Sequence, residues 1–416
     1  MQLASVDEAL AELRHGRFVI LVDDGSYARK ADLIVAADRV SAASIAFMAT
    51  QARGLVCVAM CGARLDTLEL PLMVAADSGV SDRRIPFTVS VEARRGVSTG
   101  ISAADRATTI RALIDPATGP LDLARPGHVF PLRADDGGVL GVPGQAEGAQ
   151  DLLRLAGMYP AAVTCEIMDD QGALAEGAVL ERFAARHHLK IVSVRQVIEH
   201  RRRHESLVHR VSEQRLATRY GEFTAIVYRS SFLREEQIAL VLGDVTSLRP
   251  VLAHVHDECV TGDLLGSLDC DCGDERRVAL ERIAAAGRGV FVYARQEGRG
   301  LGRHSATRAE LSTLETDRHQ GQTIAKSAIG IRGQIFRDLG IRRIHLLTNH
   351  PRRIAELEHP GVEIVERLPL STLGLHDDAR FTTALLRLGG FGAPSPALPG
   401  ERGELPFQSG WITLHG

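Results

Sequence analysis

The sequence predicts an α/β protein of α+β type built as two domains. Three observations carry that expectation. The chain has 416 residues, more than one hydrophobic core usually supports. Strand-like apolar runs alternate with amphipathic helical stretches. A second series of such runs begins after a densely charged stretch that follows residue 198.

Taken in order, "MQLASVDEALAELRHG" reads as a short amphipathic helix capped by Ser5. It lacks the basic start, apolar middle and small-residue cleavage site of a signal peptide. The runs "RFVILVDD", "GLVCVAM" and "PFTVSVEA" read as strands, and "AASIAFMATQA", "SAADRATTIRALI" and "GAQDLLRLAGM" as helices. From Glu181 to His200 the pattern is helix, then the strand "KIVSV", then helix. The stretch "EHRRRHESLVHRVSEQRLATRYG" is charged and lacks a broad apolar face, so residues 206–222 are expected to connect a domain of residues 1–205 to one of residues 223–370. Its "RRRH" cluster is expected to be a solvated helix end. The second domain runs from "EFTAIVYRS" through "QIALVLGDV", "PVLAHVHDE", "RRVALERIAAAG", "GVFVYAR", "IGIRGQIFRDLG" and "RRIHLLTNH" to "VEIVERLPL". Residues 371–416 are Gly/Pro-rich and hold Trp411.

Composition narrows the function classes. With 45% hydrophobic and 24% charged residues the chain is ordinary globular protein. No segment approaches the run of about 18 apolar residues expected of a membrane-spanning helix. A net charge of -3 gives no electrostatic case for nucleic acid. A cytoplasmic protein acting on a small molecule, with no nucleic-acid or membrane partner, is the expectation. Six cysteines in so long a chain make no disulfide framework, and three of them crowd between residues 259 and 272.

That crowding points to metal. "CVTGDLLGSLDCDCGDE" places Cys259, Cys270 and Cys272 in a C-x10-C-x-C arrangement. Three thiolates without a paired fourth ligand suit a zinc ion that keeps one coordination position open. Downstream, "RQEGRGLG" sets Glu297 and Arg299 on a Gly-rich turn, where an acid/base group and a phosphate ligand can share one loop. "LLTNHPRR" closes a strand with Thr348, Asn349, Arg352 and Arg353, a tip suited to phosphate or a base. In the first half, "VDDGSYARKADLI" puts paired aspartates at a strand end, followed by Arg29 and Lys30.

With "YRSSF", "HDECVTGDLLGSLDCDCG", "RQEGRGLG" and "LLTNHPRR", residues 223–370 resemble GTP cyclohydrolase II, a zinc enzyme that opens the guanine imidazole ring, releases formate and cleaves pyrophosphate. Residues 1–205 resemble 3,4-dihydroxy-2-butanone 4-phosphate synthase through "GVSTGISAADRATTIRALIDP", "RPGHVFPLRADDGGVL", "TCEIMDDQGALA" and "LKIVSVRQVIEHRRRHE". The chain as a whole is therefore similar to bifunctional riboflavin-biosynthesis enzymes. The resemblance implies two α/β domains, a homodimer, zinc on Cys259, Cys270 and Cys272, and nucleotide or phosphate contacts at Arg299, Thr348, Arg353 and His254. It assigns Asp23, Asp32, Cys57, Asp105, Thr109 and Glu166 to a phosphosugar-shaped pocket.

Several positions leave the family pattern. After the two aspartates the synthase family carries Arg-Glu-Asn-Glu-Gly-Asp. Here Tyr27 stands at the Arg, Ala28 at the metal-binding Glu, and Arg29, Lys30 and Ala31 at the next three, with Asp32 kept. The family's second metal-ligand His falls on Gln145, followed by Ala146. Magnesium needs hard oxygen ligands, so none is expected in this half, which is read as a vestigial pocket without synthase activity. In the second half Glu310 stands at the family's catalytic Tyr, Ala325 and Ser327 at an Asp and a phosphate-attacking Arg, His254 at a triphosphate-contacting Arg, and Asp257 at a Ser. Glu297 and Glu310 are the candidate catalytic residues. Three readings of this half follow: a zinc hydrolase of a purine-like nucleotide or other heterocycle with altered chemistry, a catalytically dead regulatory or scaffold paralogue, and a conventional GTP cyclohydrolase II.

Overall fold

The computed structural model describes residues 2–23, 30–74, 86–230, 236–268, 270–295, 332–349, 357 and 361–370. These residues fall within one compact unit, Met1–Thr372. They form two seven-stranded mixed sheets, one in each half of the chain.

The first sheet has β1 (Val19–Val22), β2 (Ala31–Ala36), β3 (Arg53–Cys61), β4 (Val91–Ala93), β5 (Leu123–Ala134), β6 (Ala162–Ile167) and β7 (Lys190–Ser193), in the order β4-β5-β3-β6-β2-β1-β7. Helices cover both of its faces. Ile20 and Val22 of β1 join a core with Ile45 of α2 (Ala42–Phe47), Ile110 and Leu113 of α4 (Ala103–Ile114) and Leu180 of α6 (Gly177–His187). Val19 and Leu21 face the opposite core, with Leu10 and Leu13 of α1 (Val6–Arg14), Leu152 and Leu153 of α5 (Gln145–Leu155) and Val197 of α7 (Val194–His204). Strand side chains alternate between faces, so a strand buried on both reads as an unbroken apolar run such as "VILV". The helix expected at the N-terminus forms, and its Ser5 cap is a full capping box with Glu8. A further short helix, α3 (Gly62–Thr67), follows β3.

The second sheet has β8 (Val208–Thr218), β9 (Gly221–Ser230), β10 (Gln237–Leu242), β11 (Val251–Asp257), β12 (Gly289–Ala294), β13 (Arg343–Leu347) and β14 (Glu363–Leu368), in the order β14-β13-β11-β12-β10-β9-β8. Strands β12, β11, β13 and β14 run parallel to one another, and β10, β9 and β8 continue the sheet antiparallel. Helix α8 (Cys272–Ala286) packs against β11 and β12. The core that contains Val251, Ala253 and Val255 of β11 is closed by Ile335 and Phe336 of α9, residues 332–338.

Two expectations are corrected here. Residues 206–222 are not a plain connector, because β8 occupies most of them and pairs antiparallel with β9. Nearly all β8 side chains are exposed on both faces, which removes the apolar periodicity that would announce a strand. Its charged residues suit an edge that must resist pairing with other chains. The "RRRH" cluster is not wholly solvated either. Arg201 is buried, and its guanidinium donates to Asp151 at 2.7 Å, to the Gly137 carbonyl at 2.9 Å and to Glu205 at 2.9 Å. Beyond it, Gln334 of α9 accepts from the Leu207 amide at 2.6 Å and donates to the Arg202 and Glu205 carbonyls. These bonds tie the end of α7 to the second sheet's helix layer.

Asp151 is fully buried, so Asp151→Ala would leave the Arg201 cation without its buried partner. The expected loss is about 3 to 5 kcal/mol of stability, read as a lowered denaturation midpoint in urea; a change within experimental error would contradict this account of α7.

Candidate metal centre

The ends of three parallel strands build the site. β11, β12 and β13 finish at Asp257, Ala294 and Leu347 on one edge of the sheet. Loops leaving that edge of a parallel sheet are where α/β proteins bind ligands. From β11 the chain passes through Glu258 to Cys259, which is fully buried, and then makes one π-helical turn, Val260–Leu264. Cys270 and Cys272 meet it from the start of α8, whose N-terminal dipole favours negative sulfur.

One ligand atom from each cysteine lies within 4.8 Å of the others. The Cys259 and Cys270 sulfurs are 3.8 Å apart. Two thiolates held tetrahedrally at the ~2.3 Å sulfur–zinc distance are about 3.8 Å apart, so the spacing fits. A Cβ on Gly262 would stand 2.7 Å from the Cys270 sulfur, and glycine alone lets the turn close over the cysteines. Burial opposes ionisation of Cys259, but hydrogen bonds from Thr261, the Gly262 amide and the other two cysteines outweigh it and hold its pKa below the ordinary thiol value. Burial first, then Cys259 and Cys270, push Cys272 up. Three thiolates so close need a cation if they are to ionise together.

Sequence reasoning missed the residue that positions this loop. Asp263 accepts from the Cys259 amide and the Tyr293 hydroxyl, each at 2.9 Å, and lies 2.8 Å from His256 Nε2. Burial works against its charge, yet the bonds from His256, Cys259 and Tyr293 keep its pKa below the usual carboxylate value. The signal was an acidic residue after Gly262 within "CVTGD". Arg332 and Asp257 form a second buried pair at the same edge, again unforeseen.

The other candidates fall out unevenly. Thr348 and Asn349 leave β13 on the thiol edge. The Thr348 amide donates to the Leu368 carbonyl at 2.9 Å, and Asn349 donates to Glu275 of α8 at 3.1 Å. His254, expected as a phosphate contact, lies inside the sheet on β11. It is fully buried mid-strand, its Nδ1 lies 2.8 Å from the Leu347 carbonyl, and its ring packs against His256 and Phe291. Glu297, Arg299, Glu310 and Arg353 lie outside the described residues, as do Tyr27, Ala28, Arg29, Ala325 and Ser327.

In the first domain Asp32 on β2 sits opposite Glu166 on β6, and Cys57 on β3 opposite Thr164. Burial, then the Glu166 charge, push Asp32 up to about 7, against the pull of Lys30. Burial and Asp32 likewise raise the Cys57 thiol. Asp105 and Thr109 bind the protein's own backbone instead. Asp105 accepts from the Ser98 hydroxyl at 2.7 Å and the Gly100 amide at 3.1 Å, and Thr109 accepts from the Ala93 amide at 3.1 Å. Gln145 donates to the Leu21 carbonyl at 3.5 Å.

Comparison with known proteins joins these two sites. Residues 7–200 match the model of the 3,4-dihydroxy-2-butanone 4-phosphate synthase family, and residues 209–369 that of GTP cyclohydrolase II. The riboflavin biosynthesis protein RibBA of Salinispora arenicola is 44% identical over 385 residues, spanning 91% of each chain. The chain belongs to the family of bifunctional riboflavin-biosynthesis proteins. Within that family, RibBA of Synechocystis is also 44% identical, over 88% of this chain and 67% of its own. A crystal structure of a two-domain 3,4-dihydroxy-2-butanone 4-phosphate synthase from A. baumannii matches with a TM-score of 0.68 and 33% identity, covering 88% of this chain and 99% of that one. The two-domain α/β organisation expected from the sequence is therefore shown. No helix among the described residues is long and apolar enough to cross a membrane.

The thiol cluster yields a direct expectation. Wild-type protein should hold one equivalent of zinc, and Cys270→Ser should lose affinity by at least tenfold in chelator competition while keeping its far-ultraviolet circular dichroism; unchanged affinity would remove the cluster from consideration.

Proposed function

We propose that this protein acts in riboflavin biosynthesis through its second domain, as a zinc-dependent hydrolase of GTP cyclohydrolase II type acting on C–N bonds of a guanine nucleotide. The observation that carries the reading is the convergence of Cys259, Cys270 and Cys272 at the ligand-binding edge of a domain that belongs to that family. Cys259, Cys270 and Cys272 would hold the ion. When bound there, zinc supplies a Lewis acid that makes water a competent nucleophile at neutral pH. Asp263 keeps Cys259 in place through its amide, and Tyr293 and His256 keep Asp263 in place. Glu297, two residues beyond the Arg295 that follows β12, carries protons to and from the reacting base, with Glu310 the second candidate for that role. Arg299, Arg353 and Thr348 receive the phosphates. Cytoplasmic residence and homodimer formation belong to the same reading, and rest on the family resemblance.

The test is zinc-loaded protein with GTP, assayed for formate and pyrophosphate. Equal release of both supports the conventional reaction, which the match of residues 209–369 to the GTP cyclohydrolase II family favours. Formate without pyrophosphate supports a second reading, ring opening with altered chemistry, motivated by Ala325 and Ser327 at the phosphate-attacking positions. Neither product from GTP or any other purine nucleotide would sink the enzyme reading and leave a regulatory paralogue.

For the first domain we propose a pocket without synthase activity. Gln145 replaces the family's metal-ligand histidine and turns its amide nitrogen to the Leu21 carbonyl, and Ala28 offers no oxygen at the other position. Ribulose 5-phosphate with magnesium should give no formate, and clear turnover would overturn this reading.

A further inference from the structure

We infer that a tethered cation has replaced the divalent ion in the first domain: the Lys30 ammonium pairs with Glu166 beside Asp32, and this domain takes up no magnesium. The inference rests on the reading that the pocket has no synthase activity, and it deepens that reading by naming the group that excludes the metal.

The backbone fixes where Lys30 must be. The β1–β2 ladder ends at Val22 and Ala31, and the Asp23 amide donates to the Lys30 carbonyl at 2.9 Å, which extends the pairing by one residue. Lys30 and Asp32 are two apart on this extended segment, so their side chains share a face. Glu166 lies directly across from Asp32 on β6 and presents its side chain to the same face. The Lys30 Nζ is 3.9 Å from Glu166 Oε1, close enough for a charge pair.

Lys30 then supplies one positive charge to this face without a metal. Asp32 Oδ1 is buried and has no hydrogen-bond partner, the situation of a carboxyl that keeps its proton instead of exposing a bare charge to a low-dielectric interior. Across the strand pair, the Glu166 carboxylate has Lys30 as its cation. Magnesium demands near-octahedral oxygen ligands and holds them at about 2.0 to 2.1 Å. An ion bound by Glu166 and Asp32 would have to strip the proton from Asp32 and sit beside a like-charged ammonium. The donor set on this face therefore does not fit magnesium, whereas the three soft sulfurs of the second domain fit zinc.

Zinc-loaded protein, its thiol site filled, is titrated with Mn2+ as the probe, with uptake read by electron paramagnetic resonance and stability by thermal unfolding. Wild type and Lys30→Arg should bind no Mn2+ at millimolar concentration and show no change in Tm. Lys30→Ala should unfold earlier, by about 2 to 4 °C or more, and should recover part of that loss as it takes up Mn2+. Wild type that binds one equivalent of Mn2+ displaceable by magnesium would overturn the inference, and so would a Lys30→Ala protein that ignores Mn2+. Formate release from ribulose 5-phosphate is measured separately. Mn2+ uptake by the wild type without turnover defeats the tethered cation alone, whereas magnesium-dependent turnover defeats the reading beneath it.

Discussion

The Asp263 carboxylate is the constraint on which the second domain's site depends. Its two oxygens reach three elements at once: His256 on β11, Tyr293 on β12 and the amide of Cys259 in the turn between β11 and α8. A charged group with little solvent exposure survives only when hydrogen bonds replace its water. Here those bonds come from a parallel strand pair at the centre of the sheet, and from the loop that carries the first sulfur. The position of Cys259 is thereby set by the sheet. Gly262 then allows Cys270 and Cys272 to close from the start of α8.

The two domains meet the same electrostatic difficulty in opposite ways. Both gather groups that repel one another when ionised. In the second domain, burial and the neighbouring Cys259 and Cys270 thiols push the Cys272 pKa up. In the first, burial and Glu166 raise the Asp32 pKa to about 7, and Lys30 lies 3.9 Å from Glu166. One site sets a lysine beside its carboxylates, and the other gathers three thiols. The difference is chemical, since the surrounding sheets are built alike from strands buried on both faces.

Legibility in the sequence follows burial and periodicity. Strands β1, β3 and β12 stand out because burial on both faces leaves continuous apolar runs. The α1 cap is readable because a capping box is local, needing only Ser5 and Glu8. Strand β5 does not stand out, since Pro126, Gly127 and Pro131 interrupt it, and β8 reads as a connector because its exposure leaves no period to detect. The thiol cluster is readable from spacing alone. Asp263, Tyr293 and the Asp257–Arg332 pair are not, because their roles depend on strands brought together from positions up to 75 residues apart. His254 misleads for the same reason: alignment with a phosphate contact says nothing of the Leu347 carbonyl that β13 places beside it.

The first domain shows why residues that persist in a pocket are weak evidence of its chemistry. Asp105 and Thr109 stand where the family's pocket residues stand. In this chain Asp105 receives the Ser98 amide and hydroxyl and the Gly100 amide, which folds the loop before α4 onto the helix, and Thr109 satisfies a β4 amide. Either side chain would be required to keep α4 against the sheet even if no sugar phosphate ever entered. Lys30, Gln145 and Ala28 mark where the sequence departs from the family pattern, because each stands in or beside the positions that hold a metal in that pattern. Residues that hold backbone report on the fold, and the side chains left over report on the reaction. In this domain an ammonium and a methyl group stand where the family pattern has carboxylates, and an amide where it has a histidine.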